Sequence, residues 1–383
     1  MTEKKSPRYV FIDLLRGLAV FVMIEVHVVN ALLLPSLRTG NFFRFVNFIN
    51  GLVAPSFIFI AGFAFSISTQ RKLSNYLKWN SRPLFIQFRR LGLILLIGYL
   101  LHLPYFSFRK LVYDAPYSDW EKFFQADVLH CIATSLIFLQ VALLILRKPS
   151  RVYIAAGLVG LCCIFLAPVV WTVDVGSYLP LPVAAYFNNM HYSLFPWFPW
   201  AGYLMLGSIA GHGFVLAIQN GDVATYMKRV AVVAGIMIVL GIMFNVLPVH
   251  LYPVYDFWHS SPEFFFVRLG MVLLILVLLW KGEVVYHYSG SFLTKFGQES
   301  LIVYTAHLMI IYGSALGDQS IASYVGKTQQ WDVALLLSGV LIIIMIVLAY
   351  LWGWLKKDHH ILLRIVQYAG TLLFFALFFY RRY

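Results

Sequence analysis

Apolar runs, each about one membrane thickness long, succeed one another along nearly the whole chain. A helix needs roughly 20 mostly apolar residues to cross the hydrocarbon core. By that measure the pattern predicts spanning helices over 9–34, 43–68, 86–104, 126–146, 152–170, 195–218, 230–248, 263–280, 296–314, 333–354 and 365–380. The last run is short, so the expected count is about 10–11. No long linker, low-complexity stretch or clear internal repeat interrupts the series. The predicted fold class is all-α, a polytopic membrane helix bundle. Residues 1–383 read as one integral-membrane domain, with 1–8 a cytoplasmic tail and 365–383 an extra C-terminal helix.

Composition strengthens this reading. The chain is 61% hydrophobic and only 12% charged, about half the charged fraction of a soluble domain. Membrane lipid is therefore an expected partner. The formal charge of +13 fits either nucleic-acid binding or a positive-inside membrane protein. With the N-terminus placed in the cytoplasm, 19 of the 29 Lys and Arg fall in inner segments and eight in outer ones. Only Arg16 and Arg268 lie inside helices. Segment 69–90 alone holds six, whereas 171–193 and 249–262 hold none. The basic charge thus reads as topology, with no nucleic acid as partner and a bacterial cytoplasmic (inner) membrane as the expected location.

Lys4, Lys5 and Arg8 precede an apolar run, as in a signal peptide. That run contains Asp13, Arg16, Glu25 and His27 and lacks a small-residue cleavage site, so it reads as a retained first helix. Cys131, Cys162 and Cys163 all lie in apolar segments, which argues against a disulfide framework or a metal cluster. His-Glu-x-x-His, Gly-x-Ser-x-Gly, Walker A and Rossmann glycine patterns are all missing. No metal is expected.

The first helix carries the most chemistry. Ionisable groups inside a membrane are costly and are functional candidates by default. Arg16 and His27 are eleven residues apart, which is about 20° from three full helical turns, so both lie on one face. Their side chains start ~16 Å apart along the axis. A cation at the cytoplasmic end and an imidazole toward the outside suit a long ligand with an anionic head and a reactive tail. Acyl-coenzyme A is such a ligand. Its phosphates would sit against Arg16 and the basic loop at Arg71, Lys72, Lys78, Arg82, Arg89 and Arg90. The bland alternative pairs Asp13 with Arg16 at i,i+3 as a neutral couple and leaves His27 hydrogen-bonded inside the bundle.

Other candidates cluster toward the outer side. His102, His130 and His307 lie in the outer half. Asp127 and His130 are spaced i,i+3 at the start of the fourth run, and Tyr304 and His307 likewise on the ninth. Each is a pocket group or a satisfied core residue. Arg268 lies about one turn inside the eighth run and needs a partner or an anionic ligand. Gly207 and Gly211 read as a close-packing site. Outer Asp114, Asp119, Glu121, Asp127, Asp174, Asp256, Glu263, Asp318 and Asp332 suit a hydroxyl-rich ligand such as a sugar, or ordinary solvated loops.

Asp13-Leu-Leu-Arg16-Gly17 followed by His27 resembles the opening helix of the heparan-α-glucosaminide N-acetyltransferase catalytic-domain-like membrane proteins. Arg, ten residues, then His is also the pattern of the wider transmembrane acyltransferase superfamily. Ala54-Pro55-Ser56-Phe57-Ile58-Phe59-Ile60-Ala61-Gly62 is similar to the family's second-helix motif. Asp127-Val-Leu-His130 resembles its fourth-helix start, and Phe195-Pro196-Trp197-Phe198-Pro199-Trp200 its sixth-helix motif. Ser261-Pro262 before Leu269-Gly270, and Phe296-Gly297 before Tyr304 and His307, complete the series over roughly residues 8–364. The chain departs from the pattern at Val26, where bacterial members often carry Asp, and at Gly51, where the eukaryotic enzymes carry Asp.

The resemblance implies acyl transfer from cytoplasmic acetyl-CoA (acyl-CoA) as donor substrate to a glycan or other hydroxyl or amine acceptor at the outer face. His27 would be the catalytic base and Arg16 would bind the donor. Asp13, Asp127, His130, Arg268, Tyr304 and His307 would be substrate or pocket residues. A homodimer is the assembly that relatives suggest. The rival reading is a multi-helix transporter of a small or glycan-linked solute, which would use the same buried groups without chemistry. Inverted repeats would favour it, and none is visible. A third reading is an inactive assembly partner, in which Arg16 and His27 would be dispensable.

Overall fold

A computed structural model describes residues 8–246, 252, 258–286, 291–313 and 320–381. Of the residues singled out above, Lys4, Lys5, Asp256 and Asp318 lie outside these. The helices are α1 Val10–Leu32, α2 Asn41–Asn50, α3 Val53–Tyr76, α4 Arg82–Leu101, α5 Phe108–Tyr113, α6 Tyr117–Phe124, α7 Val128–Leu146, α8 Pro149–Val170, α9 Leu181–Ala184, α10 Trp197–Gln219, α11 Val223–Val246, α12 Pro262–Tyr286, α13 Phe292–Gln298, α14 Ser300–Tyr312, α15 Ile321–Val325, α16 Trp331–Asp358 and α17 His360–Tyr380. Among the described residues there is no strand, only one isolated bridge between Leu33 and Gln329. The fold is an all-α polytopic bundle.

Nine helical stretches among the described residues are long and apolar enough to cross a membrane. The first expected run, which carries Asp13, Arg16 and Glu25, is not one of them. Its 23 residues still reach ~34 Å. Two expected runs are divided. The run at 43–68 splits at Gly51 and Leu52 into α2 and α3. Helix α2 has no buried residue and exposes Phe42, Phe45 and Ile49. The run at 296–314 splits at Glu299, whose backbone (φ −107°, ψ 25°) leaves the helical region between α13 and α14. The Glu299 side chain is buried and accepts a 2.6 Å hydrogen bond from Lys356 on α16. The final run is longer than expected: α17 spans 21 residues.

Two glycine contacts set the packing around the candidate site. A Cβ at Gly17 would run into the Leu293 carbonyl, and one at Gly297 into that of Asp13. Helices α1 and α13 therefore cross with backbones touching, which large side chains forbid. The crossing lets the Gly297 carbonyl accept from Arg16 Nη1 at 3.4 Å. Gly62 on α3, and Gly207 and Gly211 on α10, meet backbone carbonyls of the facing helix in the same way. The first N–H groups of α1 are satisfied from α12, where the Glu283 carboxylate accepts from Val10 at 3.0 Å and from Phe11 at 2.7 Å. A carboxylate at a helix N-terminus also complements the dipole.

Candidate active site

Helix α1 joins two polar regions at opposite ends of the bundle. At its N-terminal end a cavity of about 1240 Å³ opens between α1, α3 and α4. Arg8, Arg16, Arg71, Lys72 and Arg90 line it, together with Asp13, Tyr9 and Tyr76. Five cations against one carboxylate give it a strongly positive interior. Asp13 bonds Arg8 Nε at 2.5 Å, whereas Arg16 Nη1 stands 4.0 Å from the other carboxylate oxygen. The i,i+3 couple expected between Asp13 and Arg16 is thus the looser of the two. Arg16 keeps donors to offer the cavity, because its one short contact is to a carbonyl. Lys78, Arg82 and Arg89 of the same basic segment do not line this cavity.

At the other end of α1, the His27 ring lies 5.2 Å from that of His307 on α14, centroid to centroid. Tyr312 meets His27 edge-on at 5.9 Å and donates to its backbone carbonyl at 3.3 Å. His307 is fully buried. Its Nδ1 lies 2.7 Å from the Val303 carbonyl. A carbonyl only accepts, so Nδ1 carries the proton and Nε2 keeps a bare lone pair in the neutral ring. That Nε2 is shielded and has no hydrogen-bond partner.

From His307 the polar groups continue across the bundle. Tyr304, one turn away on α14, donates to Asp127 Oδ2 at 2.6 Å. The same oxygen faces His102 Nε2 at 3.5 Å. Gln125 Nε2 donates to His102 Nδ1 at 2.6 Å, which leaves the His102 proton on the nitrogen facing Asp127. Asp127 and His130 form a capping box at the start of α7. Asp127 Oδ1 accepts from the Val128 N–H at 2.6 Å, and the Asp127 N–H donates to His130 Nδ1 at 3.2 Å. Their i,i+3 spacing is therefore the signature of an N-cap, while the second carboxylate oxygen serves the cluster.

The structure thus gathers His27, His307, Tyr304, Asp127 and His130 in one region. It leaves Asp13 and Arg16 at the opposite end, and sets Arg268 against Trp200 and Phe264. Sequence reasoning passed over Tyr312, Gln125, and the Tyr99–Tyr186 hydroxyl pair at 3.1 Å. Tyr99 packs on His130 with ring centroids 4.2 Å apart. His102 was visible only as an outer-half histidine. Three of the outer acidic residues find local partners. Asp119 accepts from Tyr105, Glu121 contacts His191, and Asp174 accepts from Ser177. Among the described residues no group of three or more His, Cys, Asp or Glu is arranged to hold a metal ion.

The model of the family described as "Heparan-alpha-glucosaminide N-acetyltransferase, catalytic" matches residues 8–243. That is more than half of the 383-residue chain, and it takes in α1, the cationic cavity, and the His102, Asp127 and His130 part of the cluster. No curated protein matches the chain.

Proposed function

This chain belongs to the heparan-α-glucosaminide N-acetyltransferase catalytic-domain family of integral membrane acetyltransferases, and from that premise we propose that it moves an acetyl group from cytoplasmic acetyl-CoA to a glycan hydroxyl or amine at the outer face of a bacterial cytoplasmic membrane. The observation that carries the reading is α1 itself. It places Arg16 in a cavity lined by five cations, and eleven residues on, along the same face, it places His27 against His307.

The cationic cavity fits the donor. Coenzyme A carries a diphosphate and a 3′-phosphate, and guanidinium forks bind such groups bidentately. The positive-inside count supports a cytoplasmic position for this end, on the side where the donor would be available. The ~16 Å between the starts of the Arg16 and His27 side chains is a span that an extended pantetheine arm can cover.

His27 acts as general base. It takes the proton from the acceptor hydroxyl or amine as that oxygen or nitrogen bonds to the thioester carbon. The carbon–sulfur bond breaks, and His27 returns the proton to the departing thiolate. His307 holds the His27 ring by contact, and the bare lone pair on its Nε2 is a second site for the proton. Tyr304 and Asp127 fix α14 against α7 behind them.

The test uses purified protein in nanodiscs with isotope-labelled acetyl-CoA, together with mass spectrometry of envelope glycans from wild-type and deletion cells. Saturable donor binding is expected, as is a glycan acetyl increment present in wild-type cells and missing in the deletion. Absence of donor binding, with unchanged glycans, would overturn the reading.

A further inference from the structure

Arg268 is a partly buried cation that the reaction above does not use. It lies less than two turns into α12, at the His27 end of the bundle. None of the ion pairs among the described residues includes it. Its Nε is shielded from solvent and has no hydrogen-bond partner. An intramembrane charge is expensive to leave unanswered, and buried polar groups are nearly always hydrogen-bonded. Aromatic rings supply part of the answer: the guanidinium lies 4.0 Å from the Phe264 ring centroid and 5.8 Å from that of Trp200.

Two further residues face Arg268: Tyr203, whose hydroxyl is within hydrogen-bonding reach of the guanidinium, and Gly51, which has no side chain. A Cβ on Gly51 would stand 3.3 Å from Arg268 Nη2. Gly51 ends α2 in ordinary right-handed backbone (φ −65°, ψ −11°), so its conformation does not demand glycine. A carboxylate there would neutralise Arg268, and glycine does not.

Three further shielded atoms in this region lack partners, the Trp200 indole N–H and one oxygen each of Glu25 and Glu263. Asn50, next to Gly51, has its side chain within hydrogen-bonding reach of Glu25. Glu25, Asn50, Trp200 and Arg268 are each partly buried. The guanidinium fork and the indole N–H thus stand as donors beside carboxyl acceptors and an aromatic face.

We propose that Arg268, Trp200 and the glycine at position 51 form a subsite for a carboxylate or phosphate carried by the acceptor, with Glu25 and Asn50 taking its hydroxyl groups. The acceptor class is then an acidic sugar or a sugar phosphate. This rests on the acetyltransferase reading for the word acceptor alone. The anion site stands on its own contacts. Arg268 forks onto the anion, the indole N–H adds a donor, and the Trp200 face is a platform for a sugar ring.

The experiment measures thermal unfolding of the purified full-length protein in non-ionic detergent, without any acyl donor. The probes are glucuronate, glucose 1-phosphate, glucose, and phosphatidylglycerol in mixed micelles. The expected result is a higher midpoint with at least one charged sugar and none with glucose. Arg268→Gln should abolish the shift. Gly51→Asp should abolish it too, and should raise the midpoint of the ligand-free protein by giving Arg268 a partner. Arg268 is the flexible end of a side chain and can yield to the new Cβ, which also stands 3.2 Å from the Phe48 carbonyl. Trp200→Phe keeps the ring, loses the donor and should shrink the shift, which covers the case in which Gly51→Asp misfolds. No shift with either charged sugar, equal shifts with glucose, or a shift that survives Arg268→Gln would each overturn the proposal. Stabilisation by phosphatidylglycerol alone would reassign the site to a lipid headgroup and overturn it as an acceptor subsite. Donor binding is measured separately at the Arg16 end. Its loss beside an intact anion shift would sink the acetyltransferase reading and leave this site standing.

Discussion

Tyr304 and Asp127 are 177 residues apart in sequence, and the tyrosine hydroxyl donates to the carboxylate at 2.6 Å. The bond ties α14 to the first turn of α7 and lies behind the His27–His307 pair. Asp127 serves two structures at once. One oxygen caps α7 and the other receives Tyr304 and faces His102.

Removing the hydroxyl should therefore be felt. Tyr304→Phe leaves a buried, charged acceptor short of one donor, which costs about 1–3 kcal/mol. Thermal or denaturant unfolding in detergent would show it as a lower midpoint. Asp127→Asn keeps a good N-cap and should cost less than Asp127→Ala, which loses cap and cluster together. Equal costs for the two Asp127 variants would mean that the cap contributes nothing, and a wild-type midpoint for Asp127→Asn would mean that the second oxygen contributes nothing.

His27→Asn separates chemistry from packing. The amide still forms hydrogen bonds but cannot accept a proton near neutral pH. Loss of a general base typically lowers a rate ~10²–10⁴-fold. Donor binding should stay near wild type, since the cationic cavity is at the other end of α1. If His27→Asn transfers acetyl groups at the wild-type rate while His307→Asn does not, the base is His307.

For Arg16, the measurement is acetyl-CoA affinity. Arg16→Gln should weaken it sharply, and Arg16→Lys should recover part, because an ammonium attracts phosphate without the fork. Folding stability should change little, since Arg8 rather than Arg16 makes the short contact with Asp13. An unchanged donor affinity would make Arg16 a structural residue.

Backbone crossings are the least tolerant positions. Gly62→Val or Gly207→Val puts a side chain into a facing carbonyl and should abolish the monodisperse folded peak in size-exclusion chromatography. Gly339→Ala meets nothing within 4 Å and should behave as wild type. Normal folding of Gly207→Val would show that α3 and α10 do not pack this closely.

Orientation is tested with single cysteines. Ser74 and Ser177 are both exposed. A cysteine at 74 should resist impermeant thiol reagents in intact cells, and one at 177 should react. The reverse pattern would turn the molecule over and remove the cytoplasmic donor from the cationic cavity.

The sequence by itself determined that the chain is a bundle of membrane helices, and where most of them run. In lipid every backbone N–H and C=O must be satisfied within its own segment, so a long apolar run has little choice but helix. It also determined that Arg16 and His27 share a face of α1, because helical periodicity is local. Two breaks escaped it. Gly51 and Glu299 interrupt runs that hydropathy joins, and Glu299 is held by Lys356 from a helix 57 residues on. The partners of the ionisable groups were decided only by tertiary packing. Nothing near His27 in the chain announces His307, and nothing near Arg268 announces Gly51. Those meetings follow from how the helices pack, and where α1 crosses α13 and α3 crosses α10 the closeness is set by glycines on two different segments together. A hydropathy pattern records how each helix faces lipid, and carries no record of which helix lies across from it.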